Sequence, residues 1–236
     1  MTKQVMQIVM LGAALAVCAV AATADPTPAP SVSASANSPA SPPVLARGLK
    51  SSGRNAGEDV LPFTSNVVTG PFRGIQHCFV CDARVDQPCI VAFFRQPDKT
   101  TASFARAFRP VLLQSSEPPL AWFVFLGDSG AAAESELEDQ VDLFASRFGL
   151  TLFNMTALGD PLGPPGYRIA PDAAVTVLVC RRFEVRFNRS WSPAAWTDKA
   201  ATAAGAEVVG LLREVSGAAF NTGGPKQRPG PPGKPE

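Results

Sequence analysis

Histidine is almost missing: His77 is the only one among 236 residues. A Ser-His-Asp arrangement and a structural metal site of about four ligands therefore have little to build on. Charge is scarce as well. Only 17% of residues are charged, and 21 Lys+Arg nearly balance 20 Asp+Glu for a net +1. A nucleic-acid-binding face needs a basic surplus, so that partner class is not expected. No P-loop, no G-x-G-x-x-G fingerprint and no internal repeat occurs, so no nucleotide cofactor is expected. What is present is apolar: 46% hydrophobic residues, enough for a packed core. The 23 Pro and 19 Gly crowd into certain stretches, which says that part of the chain lies outside that core.

The N-terminus reads as an export signal. Lys3 gives a short positive region, Val5 to Ala22 is apolar, and Ala22-Thr23-Ala24 has the small-x-small form of a cleavage site after Ala24. A retained anchor is the alternative, since the apolar run is near the ~18-residue minimum for a spanning helix. Leu15-Ala16-Val17-Cys18 also looks like a lipid-attachment box, but Val17 stands where a small residue belongs, so attachment through Cys18 ranks below cleavage. A periplasmic or secreted protein with no membrane span after processing is the expectation. Residues 25–59 are rich in Pro, Ser and Ala and read as a disordered linker, and 221–236 as a Pro/Gly-rich tail. Residues 60–220 remain as one domain.

Within it, Ile90–Phe94, Leu120–Leu126 and Val175–Cys180 are continuous apolar runs of strand length. Such runs predict strands buried on both faces, with helices above and below the sheet. Phe183, Val185 and Phe187 alternate with Glu184, Arg186 and Asn188, a half-exposed edge strand joined to the preceding run through Arg181-Arg182. Phe104, Phe108, Val111 and Leu112 mark one helical face over Thr100–Ser115, where Pro110 should kink or restart the helix. Leu137, Val141, Phe144 and Phe148 mark another over Ala131–Phe148, with Gly149 as its stop. The acids Glu134, Glu136, Glu138, Asp139 and Asp142 on that helix read as a solvated face. Thr151–Met155 adds a short strand or a loop. The last helix is expected to open at Ser192-Pro193.

This order, together with Val68-Thr69-Gly70-Pro71, Cys78-Phe79-Val80-Cys81 and Gly163-Pro164-Pro165-Gly166-Tyr167, resembles the thioredoxin-like superfamily, and within it exported bacterial proteins of unassigned chemistry. The resemblance implies an α/β three-layer sandwich with a β-α-β-α-β-β-α core. Two departures bear on activity. The stretch after the first core strand is Gln96-Pro97-Asp98-Lys99, without cysteine. Where a cis-proline would precede the third core strand stand Ala173-Ala174, with Pro171 too early.

After signal removal four cysteines remain, which allow three pairings. Cys78 and Cys81 have the spacing of a redox dithiol. Three readings compete: a redox pair working on a protein thiol or disulfide, a structural short-loop disulfide, and, well behind, a soft-metal site of His77, Cys78 and Cys81. By analogy with the usual order, Cys78 attacks and Cys81 resolves. In the resembled fold, the first core strand and the hairpin's first strand are antiparallel neighbours. That sets Cys89 near Cys180, either as a structural bridge or as two buried free thiols.

Overall fold

The structure is a computed structural model that describes residues 52–115 and 118–217. The expected signal segment with Ala24 and Cys18, the linker up to residue 51 and the 221–236 tail lie outside the described residues.

Twelve elements follow one another: β1 (Ser65–Val67), β2 (Gln76–His77), α1 (Phe79–Asp82), β3 (Cys89–Phe94), α2 (Lys99–Arg106), α3 (Arg109–Gln114), β4 (Leu120–Leu126), α4 (Ala131–Phe148), β5 (Asn154–Leu158), β6 (Val175–Arg181), β7 (Glu184–Trp191) and α5 (Asp198–Ser216). The strands form one sheet in the order β2-β1-β5-β4-β3-β6-β7. β3, β4 and β5 are parallel; β6 and β7 add an antiparallel hairpin beside β3, and β1 and β2 another beside β5.

The period-two geometry of the central strands splits the core in two. Ile90, Ala92 and Phe94 of β3, with Phe123 and Phe125 of β4, point into a helix-covered layer. There Phe94 meets Phe104 of α2 with ring centroids 5.6 Å apart, and Phe125 meets Phe144 of α4 at 5.5 Å. Val208 and Leu212 of α5 pack into the same layer. Cys89, Val91 and Phe93 point the other way, with Trp122, Leu178 and Cys180. Continuous strand burial thus has the expected cause, but the helices are distributed differently. α2, α4 and α5 share one face, and the opposite face is covered by Val60, Leu61, Phe63, α1 and the Tyr167–Ile169 segment.

Local differences from the sequence reading have local causes. Ser52–Asp59, expected in the linker, is part of the folded body: Ser52 is buried with its hydroxyl 2.6 Å from that of Thr176, and Asn188 donates to the carbonyls of Ser52 and Arg54. Pro110 divides the expected helix into α2 and α3, since it lacks an N–H and fits only a first turn. The hairpin turns on Arg182-Phe183 rather than Arg181-Arg182. Both residues adopt left-handed backbone (φ 56° and 61°), held there because the Phe183 carbonyl accepts from Val60 N at 2.6 Å and the ring packs on the second core. β5 begins at Asn154, so the short strand lies later than Thr151–Met155. Ser192-Pro193 forms its own turn, and α5 starts at Asp198 behind the N-cap Thr197, whose hydroxyl accepts from Ala200 N.

Candidate functional site: the Cys78–Cys81 bridge

His77 ends β2 opposite Ser65, and the chain then turns into the single turn of α1. Cys78 is the N-cap residue; its Sγ accepts from Cys81 N at 3.2 Å. Cys78 and Cys81 form a disulfide, their Cα atoms 5.4 Å apart. The turn is anchored from below. Phe79 is buried and meets Trp122 with ring centroids 5.1 Å apart. Cys78 packs half-buried against the second core, whereas Cys81 is exposed.

An aromatic cover lies beside the bridge. The His77 ring stacks on Phe72 (centroids 4.0 Å, planes 11° apart) and meets Phe79 edge-on at 4.6 Å. His77 Nε2 lies 2.8 Å from Asp82 Oδ2, out of line for a hydrogen bond. The acidic face of α4, expected to be merely solvated, holds the same corner of the fold. Glu138 accepts from Asn66 of β1 at 2.7 Å, and Asp142 pairs with Arg73 at 3.1 Å.

Cys89 and Cys180 stand directly opposite each other in the β3–β6 pair, both buried and both free thiols. A hydrogen bond with Cys89 and burial push the Cys180 thiol well above its ordinary pKa. Tyr167 lies against the pair. Burial, then the two cysteines, push its phenol up, while its hydroxyl donates to the Leu61 carbonyl at 2.7 Å. With Cys78 and Cys81 joined, neither sulfur is a thiolate, so the set His77, Cys78, Cys81 holds no metal-binding sulfur in this state. Among the described residues no cluster of three His, Cys, Asp or Glu is arranged for a metal ion.

The position after β3 is occupied by a latch that the sequence reading did not single out. The Arg95 guanidinium donates to the carbonyls of Pro161, Ala170 (3.1 Å) and Ala173 (3.3 Å), and its backbone N–H donates to Ala174. Burial lowers its pKa, with Asp160 opposing. Asp98 caps α2 through Thr101 N at 2.8 Å. The only signal for Arg95 in the sequence is a cation placed directly after a wholly apolar strand.

Parallel β5-β4-β3 joined by helices, an antiparallel hairpin added beside β3 and a closing α5 define a thioredoxin-like fold. The chain has this fold and carries a Cys78–Cys81 disulfide ahead of its first core strand. No family model matches the chain, and no curated protein matches it. Three solved structures with similar folds are the following. A putative thiol:disulfide interchange protein DsbE from Chlorobium tepidum is 12% identical over 67% of this chain and 99% of its own, with a TM-score of 0.46. A secreted thiol-disulfide isomerase from Corynebacterium glutamicum is 10% identical over 66% and 84%, with a TM-score of 0.44. The peroxidoxin BcpB from Mycobacterium tuberculosis is 16% identical over 66% and 97%, with a TM-score of 0.41. At such identities the likeness concerns the fold alone. Among the described residues no helix is long and apolar enough to cross a membrane.

Proposed function

We propose that the protein is exported through its N-terminal signal and exchanges the Cys78–Cys81 disulfide with thiols of a protein partner. One observation carries this reading. The bridge joins an exposed residue, Cys81, to a half-buried one, Cys78, whose sulfur already receives a backbone N–H. A partner thiolate attacks the Cys81 sulfur and the S–S bond breaks. Cys78 leaves as a thiolate, stabilised by the Cys81 amide that already donates to its sulfur. This order reverses the one analogy supplies. Cys81 carries the mixed disulfide, and Cys78 resolves it in the return direction.

The rival reading is a structural staple in a non-catalytic domain. It is favoured by the Arg95 latch and the Asp98 cap, which fill the place after β3. Insulin reduction driven by dithiothreitol separates the two. The exchange reading expects turnover that is lost in Cys78→Ser/Cys81→Ser. Equal rates with and without the two sulfurs refute it.

A further inference from the structure

We propose that Cys89 and Cys180 are a second redox couple, a buried dithiol that closes into a disulfide across the β3–β6 seam. The proposal does not rest on exchange at Cys78–Cys81. Its basis is register and burial. Cys89 is the first residue of β3 and faces Cys180 residue to residue, in a ladder that continues unshifted to Phe94 opposite Val175. Directly opposed residues of an antiparallel pair have Cα atoms ~4.5–5.5 Å apart, inside the ~4.4–6.8 Å that a disulfide spans. Both side chains point to the same face, into the core that also holds Val91, Leu178 and Trp122. Cys89 lies near enough to Cys180 to raise its thiol pKa, with burial adding to the shift. The Tyr167 hydroxyl, in the same buried cluster, is committed to the Leu61 carbonyl.

The oxidant is a dialkyl disulfide, represented by oxidised glutathione. Cys89 is 8% exposed at the sheet end and Cys180 is fully buried, so opening of that end presents Cys89 first. Cys89 gives up its proton and its thiolate attacks one glutathione sulfur. The glutathione S–S bond breaks, a mixed disulfide forms on Cys89, and one glutathione leaves as thiol. As the end recloses, Cys180 gives up its proton and attacks the Cys89 sulfur, which releases the second glutathione. Two cysteine thiols lose two electrons and two protons, and one glutathione disulfide becomes two thiols. In an oxidising compartment the couple closes and ties β6 covalently to β3. Under reducing conditions it opens without disturbing the register, because the strands pair in either state.

The test equilibrates the folded full chain, and the full chain carrying Cys78→Ser/Cys81→Ser, in glutathione buffers of rising oxidised share. Remaining thiols are then alkylated in denaturant and peptides are mapped without reduction. The expected result is a Cys89–Cys180-linked peptide that grows from absent to predominant in both chains, with matching loss of the two alkylated peptides. Full alkylation of Cys89 and Cys180 at every ratio overturns the proposal. So does a Cys89 that stops as a glutathione adduct, a bridge from Cys89 to Cys78 or Cys81, or a linked peptide that vanishes in the double variant.

Discussion

Arg95 offers the sharpest test of how the fold is held at the end of β3. Its guanidinium spans three carbonyls, those of Pro161, Ala170 and Ala173, and so ties the 161–174 loop to the end of β3. Arg95→Met keeps much of the apolar stem and removes every side-chain donor. Hydrogen bonds to charged groups contribute roughly 1.5–3 kcal/mol each, but these carbonyls lie in a part-buried loop where water can replace some donors. Counting about 1 kcal/mol for each of the three gives a loss of about 3 kcal/mol, or roughly 6–12 °C in Tm for a domain of this size. Arg95→Lys retains the charge but presents a compact ammonium in place of a planar fork, so about half the loss is expected. Equilibrium urea unfolding followed by tryptophan fluorescence reads both variants. A loss below about 1 kcal/mol for Arg95→Met, or no difference between Met and Lys, refutes the latch.

Three other outcomes follow from local geometry. A Cβ on Gly205 of α5 would lie 2.9 Å from the Phe104 carbonyl and 2.7 Å from Ala107 Cβ. Gly205→Ala therefore costs about 1–3 kcal/mol in urea unfolding despite the better helix propensity of alanine; a gain in stability would contradict the α2–α5 packing. Arg182 holds φ 56° in the hairpin turn and its ion pair with Asp86 is exposed, so Arg182→Gly stabilises by up to about 1 kcal/mol in thermal unfolding, and a clear loss would show the turn to be unstrained. Hydrogen bonds from Lys99 and then Thr100 lower the Asp198 pKa. Its contribution is present above the ordinary carboxylate pKa and is lost as pH falls below that value toward the lowered one. The urea midpoint should fall across that acid window less steeply in Asp198→Asn, and an unchanged slope would discount the contact.

The elements legible in the sequence are those with enough length to show a period. β3, β4 and β6 are unbroken apolar runs, and α4 repeats its apolar face from Leu137 to Phe148 before Gly149 stops it with φ 67°. β1 and β2 have three and two residues, too few for any periodicity, and their positions are set by pairing to β5 and by Glu138 and Asp142 reaching across from α4. The hairpin turn and the start of α5 show how local signals lose to tertiary contacts. Val60 captures the Phe183 carbonyl and moves the turn by one residue, and Thr197-Asp198 caps the helix as well as Ser192-Pro193 would. At the site, spacing names Cys78 and Cys81, but which sulfur is outward depends on how Phe79 seats under the turn, a three-dimensional fact. Arg95 is silent in the sequence because its partners are backbone carbonyls of a loop 66 to 78 residues away.

The reduction potential of the Cys78–Cys81 couple tests the central claim most directly. It is measured against glutathione and dithiothreitol buffers in a Cys89→Ser/Cys180→Ser chain, so that one couple alone is read. Exchange with partner thiols requires a potential in the range of working oxidoreductases, roughly −270 to −120 mV. A value below about −300 mV, where structural disulfides of secreted proteins lie, would make the bridge a staple and contradict the exchange reading.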